Sequence, residues 1–326
     1  MFTNIHNLPE ELASALTENR YSKGDATYSV TELLQPVQLW RLSKLYPESI
    51  KIDVSERIWA VFGSAVHKIL SEQETGAVLE QRLKVQLSKD ISLSGQIDVM
   101  KLQDDKLIIN DYKVTSVYKY RAQDYDDWTF QLNVYNYLAQ MNLPSTYDKV
   151  ELNIVAILRD WSHKEANKEN QYDNGHNLLP YPPIQVQVIQ IPVWDDLKTL
   201  TEILNKIKKF EEVKNILYLD NLPPCTDEER WKRGYDYYAV YNPAKDNVYR
   251  KFEITPERSE YEAEQEAIKV LSTMKATGYE IKRFEAEPMR CRYFCPVRDI
   301  CPQNQGSLPK ADIILDTTTD LTIPEA

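Results

Sequence analysis

Glycine is scarce: 8 residues in 326, about a third of the roughly 7% usual in proteins. None of the eight builds GxxxxGK[ST] or GxGxxG. P-loop ATPases and dinucleotide-binding Rossmann enzymes are thereby excluded, because both press glycine backbone against phosphate. Long apolar runs are also missing, so no stretch reaches the roughly 18 residues that a membrane helix needs. The N-terminal residues lack a basic region followed by an apolar one, so no signal peptide is read there, and the expected location is cytoplasmic. Bases are outnumbered, with 39 Lys and Arg against 50 Asp and Glu for a net charge of −11. That balance disfavours a nonspecific coat on nucleic acid but does not bear on a local basic groove. Cysteine is absent before residue 225 and occurs four times from that position on. Without an export signal, these four are expected as reduced thiols or metal ligands rather than disulfides.

What remains is ordinary for a globular chain: 42% hydrophobic and 27% charged residues. The length allows one large domain or two smaller ones. Ser-Val-Thr-Glu at 29–32 is a capping box, and Pro36 opens a second helical segment to about Leu45. Ile58, Phe62, Ala65, Val66, Ile69 and Leu70 repeat at the helical period within 56–74. Strands are expected near 83–88, 93–100, 106–114, 149–158 and 184–191, and helices at 126–141 and 194–214. Tyr237–Tyr241 and Val248–Phe252 flank a turn as a hairpin, and a further helix is expected over 257–276. The domain reading is a lead-in at 1–28 and a core at 29–212 with a surface insertion at 160–183. A mostly helical cap with one hairpin follows at 213–306, and a disordered tail at 307–326. The fold class is α/β, a mixed sheet flanked by helices.

The most informative stretch is 93–114. A two-residue turn at Asp104-Asp105 pairs residue 103 with 106, which sets Asp98 across from Asp111. Lys113 shares the face of Asp111, because strand side chains alternate. Like charges facing each other across strands are destabilising, so two carboxylates gathered with a lysine suit a divalent cation. By themselves the three residues are equally consistent with a solvated hairpin. A shift of one residue would turn Asp98 to the other face.

Three neighbours add to this. Gly63 and His67 lie one helical turn apart, Gln131 and Tyr135 are likewise at i and i+4, and Glu80 precedes the hairpin. Read in order, Gly63–His67, Glu80, Gly95–Asp98, Asp111-Tyr112-Lys113 and Gln131–Tyr135 resemble the PD-(D/E)xK nuclease superfamily, specifically its RecB-like branch. That branch carries GxxxH, a glutamate, GxxD, [DE]xK and QxxxY. The resemblance implies a restriction-endonuclease-like core and hydrolysis of phosphodiester bonds. It assigns Asp98, Asp111 and the Tyr112 carbonyl to Mg²⁺ or Mn²⁺, with His67 completing that site or a second one. An imidazole ligand favours Mn²⁺. Lys113 would position the attacking water or stabilise the pentacovalent phosphate, Gln131 and Tyr135 would orient the scissile strand or the lysine, and Glu80 ranks lowest.

Cys225, Cys291, Cys295 and Cys301 are spaced C-x65-C-x3-C-x5-C. Four thiolates suit tetrahedral Zn²⁺ or a cubane iron–sulfur cluster. RecB-like nucleases such as the CRISPR-adaptation nuclease and the AddB type close a [4Fe–4S] cluster with a C-terminal cysteine trio, which favours iron–sulfur, with Zn²⁺ as the alternative. The chain departs from that pattern in two ways. Its first cysteine follows the core instead of preceding the histidine motif, and the trio opens with three intervening residues rather than two.

The expected function is a metal-dependent DNA nuclease, an exonuclease acting at ends or on single strands. Stand-alone examples in phages and mobile elements process ends for recombination or repair, with partner proteins. The alternative is a non-catalytic iron–sulfur DNA-binding or assembly module of the same fold. It is disfavoured because Asp98, Asp111 and Lys113 are all present. The 21 tyrosines are candidate stacking partners for unpaired bases, though most tyrosines simply pack. Lys206–Lys209 and Arg283–Arg292 are either walls of a groove or solvated faces.

Overall fold

The computed structural model describes residues 1–17, 22–73, 77–143, 147–168 and 178–304. The expected tail and residues 169–177 of the expected insertion lie outside the described residues. The chain divides into two compact units, Met1–Ile216 and Leu217–Ala326.

The first unit opens with β1 (Phe2–Thr3), α1 (Glu10–Thr17) and β2 (Tyr28–Ser29). Ser29 then caps α2 (Val30–Leu33) in the expected capping box with Glu32, so each partner satisfies a backbone N–H that the helix start leaves open. Pro36 stands at the start of α3 (Val37–Leu45), and β3 (Ile52–Asp53) leads towards α4 (Ile58–Ser71). Next come β4 (Val78–Gln86), β5 (Ser92–Gln103), β6 (Lys106–Thr115), α5 (Val117–Ala122) and α6 (Asp126–Asn142). The unit ends with β7 (Lys149–Leu158), α7 (His163–Ala166), β8 (Val186–Ile191) and α8 (Asp196–Val213).

Its mixed sheet runs β2-β5-β6-β7-β8, with β4 also on β5. β6 and β7 are parallel, with α5 and α6 in the crossover between them. Along the buried side, Leu107 and Ile109 of β6 and Leu152 and Ile154 of β7 pack with Leu132, Val134 and Leu138 of α6 and Ile203, Ile207 and Phe210 of α8.

The β5–β6 register matches the sequence expectation, running from Gln103↔Lys106 to Val99↔Asn110. Asp104 and Asp105 both have positive φ, 50° and 59°, the backbone of the two-residue turn whose twist suits a hairpin. Beyond Val99 the strands part. Leu93 pairs with Val85 of β4 and with Tyr28 of β2, and Val99 pairs with Leu79 of β4 and Asn110 of β6. A strand has only two edges, so β2 and β6 share the one opposite β4. Residues 95–98 therefore lie at a fork where that edge changes partner.

α4 forms within the stretch whose apolar residues repeat at the helical period, but without the burial usual for such a stripe. None of its described side chains is fully buried, and Phe62 and Ile69 of its apolar stripe are 52% and 61% exposed. The helix instead turns Ser64, His67 and Lys68 into a cleft, which carries the stripe outward.

The second unit holds β9 (Lys232–Arg233), β10 (Tyr237–Asn242), β11 (Asn247–Glu253), α9 (Glu260–Thr273), β12 (Glu280–Phe284) and β13 (Glu287–Pro288). The expected hairpin is β10–β11, but the mostly helical cap is corrected. β12 adds to the free edge of β10, pairing Phe284 with Tyr237 and Lys282 with Ala239, and makes a three-stranded antiparallel sheet. α9 lays Ala263 and Ala267 against Val240 and Phe252 of that sheet. A π-type turn, Arg290–Phe294, follows β13.

Candidate active site

The fork in β5 opens into a cleft of about 470 Å³ whose lining includes His67, Glu80, Asp98, Asp111, Lys113, Gln131 and Tyr135. The motif residues thus converge, although they come from α4, β4, β5, β6 and α6.

Asp98 stands where the β5–β6 ladder ends. One carboxylate oxygen accepts the backbone N–H of Tyr112 at 2.8 Å, a side chain doing what a paired strand would otherwise do. The other lies 3.3 Å from Nδ1 of His67. Glu80 faces Asp98 from the opposite side, because the β4–β5 register brackets that pair with Leu79↔Val99 and Gln81↔Ile97. Its φ is +51°, a backbone conformation that is costly for a side chain with a Cβ and that gathers at functional sites. Glu80 Oε1 lies 3.1 Å from the same His67 nitrogen.

The ligating atoms of His67, Glu80 and Asp98 all fall within 4.8 Å of one another, and no other such trio of His, Cys, Asp or Glu occurs among the described residues. Asp98 first and Glu80 second hold the imidazole charged, raising its pKa from 6.5 to about 10. A positive charge between two carboxylates is what this corner of the cleft is built to hold.

Asp111 lies outside that trio and is 1% exposed. Oδ1 accepts a long hydrogen bond of 3.4 Å from Nε2 of Gln131, which also donates to the Tyr135 hydroxyl at 2.8 Å. Oδ2 lies 2.6 Å from Nζ of Lys113 but accepts no hydrogen bond of proper geometry. Burial pushes the Asp111 carboxyl upward, Lys113 opposes the shift and Asp98 adds to it. Tyr112 enters the site through its backbone N–H.

Two residues that no motif singled out support the trio. Arg82 donates to Oε1 of Gln96 at 2.7 Å, and Gln96 in turn donates to Oε2 of Glu80 at 2.5 Å. This chain fixes the free side of Glu80. Its sequence signal is faint, since Gln96 and Arg82 are cross-strand partners only in a register that one sequence does not fix. The motif glycines differ from each other. A Cβ at Gly63 would meet nothing within 4 Å, whereas at Gly95 it would run into Tyr135 and Leu138.

The donor set suits a hard divalent cation. It offers carboxylate oxygens, one imidazole and, in Asp111 Oδ2, a buried lone-pair site without a hydrogen bond.

The second unit brings the four cysteines together. None forms a disulfide, and Cys291 and Cys301 are buried. The other three thiols each add to the rise that burial imposes on Cys225, whose pKa reaches about 12. Gln303 clamps the Cys225 backbone on both sides, accepting from its N–H and donating to its carbonyl, each at 2.9 Å. Burial likewise raises the Cys295 and Cys301 thiols.

The family description that matches this chain is the PD-(D/E)XK nuclease superfamily, over residues 10–302. Among solved structures, the crystal structure of SSO0001 is similar at 17% identity and a TM-score of 0.39, over 60% of this chain and 83% of that one. No curated protein matches. Among the described residues no helix is long and apolar enough to cross a membrane.

Proposed function

The chain belongs to the PD-(D/E)XK nuclease superfamily, and from that premise we propose that it is a Mg²⁺- or Mn²⁺-dependent deoxyribonuclease of the RecB-like type. It acts as an exonuclease on DNA ends or single strands. The observation that carries the reading is the convergence of Asp98, Asp111 and Lys113 with His67, Glu80, Gln131 and Tyr135 on one cleft.

His67, Asp98, Asp111 and the Tyr112 carbonyl would hold the ion, joined by Glu80, which shares His67 with Asp98. Bound there, it supplies positive charge at the scissile phosphate and acidifies a nearby water. Lys113 is the cation of the chain itself at that place, and the ion pair with Asp111 aims it. Its role is to position the attacking water or to stabilise charge as the phosphate becomes pentacovalent. Gln131 and Tyr135 are positioning residues. The amide of Gln131 ties Asp111 to the Tyr135 hydroxyl, so the buried carboxylate keeps one orientation.

The four cysteines hold a [4Fe–4S] cluster on this reading. Tetrahedral zinc, with Zn–S bonds of about 2.3 Å, would draw its sulfurs to roughly 3.8 Å from one another. The likeness of the Cys291, Cys295 and Cys301 trio to the cysteines that close a [4Fe–4S] cluster in RecB-like nucleases favours the cubane.

The test is cleavage of end-labelled linear and circular DNA, single- and double-stranded, with Mg²⁺ or Mn²⁺. Wild type and Lys113→Ala are compared at matched folding and metal content. Metal-dependent cutting that the variant loses supports the assignment, and the product ladder gives polarity. Undiminished cutting by Lys113→Ala overturns the site. A wild type that cuts nothing while its cysteine site is loaded points to a binding module instead.

A further inference from the structure

Two segments of the second unit, far apart in sequence, are laid side by side: 230-RWKR-233 and 290-RCRYF-294. The backbone N–H of Arg290 donates to the Arg230 carbonyl at 3.0 Å, and β9 pairs with β13, Arg233 with Glu287 and Lys232 with Pro288. These nine residues hold five cations, three aromatic rings, no carboxylate and no aliphatic side chain, in a chain whose net charge is −11.

The rings face outward. Trp231, Tyr293 and Phe294 are 43%, 47% and 62% exposed. They form one cluster, with Phe294 5.7 Å from Trp231 and 6.3 Å from Tyr293 between ring centroids. The Arg290 guanidinium lies 4.8 Å from the Trp231 ring centre, and that of Arg292 lies 5.5 Å from Tyr293. Arg230 and Lys232 turn inward to Asp227, Asp236 and Glu285, whereas Arg292 stays exposed while pairing at 2.8 Å with Glu287, which also accepts from the Tyr293 hydroxyl and which a phosphate would have to displace.

The backbone is arranged for this display. Trp231 has φ +54°, a genuine outlier for a bulky residue, and two turn hydrogen bonds hold it there: its own N–H to the Glu228 carbonyl and that of Lys232 to the Asp227 carbonyl. On the other segment, Cys291 lies within the turn, and the Cys295 N–H closes it on the Arg290 carbonyl at 2.8 Å. The cysteine site therefore anchors the loop that carries Tyr293 and Phe294.

We propose that this aromatic–arginine surface binds single-stranded DNA, with unpaired bases stacking on Phe294 and Trp231 and phosphates meeting Arg292 and Arg290. Rings alternating with guanidinium groups match bases alternating with phosphates, and stacking needs no base sequence. The inference rests on the nuclease reading and names the form of DNA that the protein grips.

The test measures fluorescence anisotropy of labelled oligo-dT and of a duplex of equal length. It uses the full chain in a Lys113→Ala background, so that the DNA stays intact. Phe294→Ala and Trp231→Ala should each weaken oligo-dT binding roughly 5- to 150-fold. Duplex binding should change less, and Phe294→Trp should bind like the parent. Unchanged thermal unfolding and cysteine-site metal content certify that each variant is folded. Oligo-dT affinity unchanged when Phe294→Ala and Trp231→Ala are combined overturns the proposal, as does an equal loss for duplex. If wild type cleaves DNA while these variants bind like the parent, this inference alone falls. If wild type neither cleaves nor binds, the nuclease reading falls and takes it along.

Discussion

Gly95 lies directly beneath the ring of Tyr135: a Cβ added to it would sit 2.8 Å from Cε1 of that ring and 2.8 Å from Cδ1 of Leu138. No staggered side chain relieves a contact made by Cβ itself, so the ring or the strand must move. Tyr135 accepts from Gln131, and Gln131 donates to Asp111. The glycine of the GxxD motif is thus coupled to the buried carboxylate through two side chains.

Gly95→Ala should cost about 1–3 kcal/mol, the usual penalty of overpacking. Cleavage should fall further than stability alone explains, because Asp111 loses its orientation. A double-mutant cycle with Tyr135→Ala checks the route. Chemical denaturation should show part of the loss recovered when the ring is absent. Full additivity would mean that Gly95 acts elsewhere.

Asp111→Asn should make the metal-free protein more stable while abolishing cleavage. The Asp111 carboxyl is raised by burial. The native state therefore keeps this proton above the pH at which the unfolded chain releases it, so stability falls as pH rises through that window. Asparagine removes the slope. At neutral pH a gain of about 1 kcal/mol would raise the Tm of the first unit, Met1–Ile216, by roughly 2–4 °C. Thermal melts with added Mn²⁺ should then stabilise wild type and leave the variant unmoved.

Metal affinity should climb with pH, because His67 holds a proton where the cation binds. Its pKa stands at about 10 against an ordinary 6.5. In the metal-free protein the imidazolium contributes stability that is complete below about 6.5 and lost as pH rises through about 10. Binding of Mn²⁺ by Asp98 and Glu80, as proposed, would compete with that charge. Calorimetric titration between pH 6.5 and 8.5 should show affinity rising by up to about tenfold per unit, with proton release. His67→Gln should flatten the slope, and a flat wild-type profile would remove His67 from the site.

The same residues show how far a single sequence reaches. Asp98 and Asp111 could be placed together because the Asp104-Asp105 turn pins a hairpin, and a hairpin register is simple arithmetic once its turn is known. Glu80 ranked lowest, yet it shares His67 with Asp98. Its place depends on the β4–β5 register and on a positive φ, neither of which composition encodes. Arg82 and Gln96 were illegible for the same reason. The third strand of the second unit, Glu280–Phe284, reads as polar because Lys282 and Arg283 interrupt it. Its pairing with Tyr237–Tyr241 becomes visible only in three dimensions.

The cysteine site offers a test that leaves every thiol in place. Gln303 pairs its side-chain amide with both backbone groups of Cys225, across 78 residues of chain. The clamp fixes the backbone from which Cys225 projects its thiol, and so would pre-organise the fourth ligand of the proposed cluster. If the proposed cluster is present, Gln303→Ala should lower iron and acid-labile sulfide per chain, and Gln303→Glu, which cannot donate to the Cys225 carbonyl when ionised, should do the same. Lys113→Ala should leave iron content untouched, since it belongs to the first unit. Zinc at one equivalent with no visible absorption would replace the cluster by a tetrahedral ion. Full iron loading of Gln303→Ala would mean that the trio holds the cluster without help from the clamp.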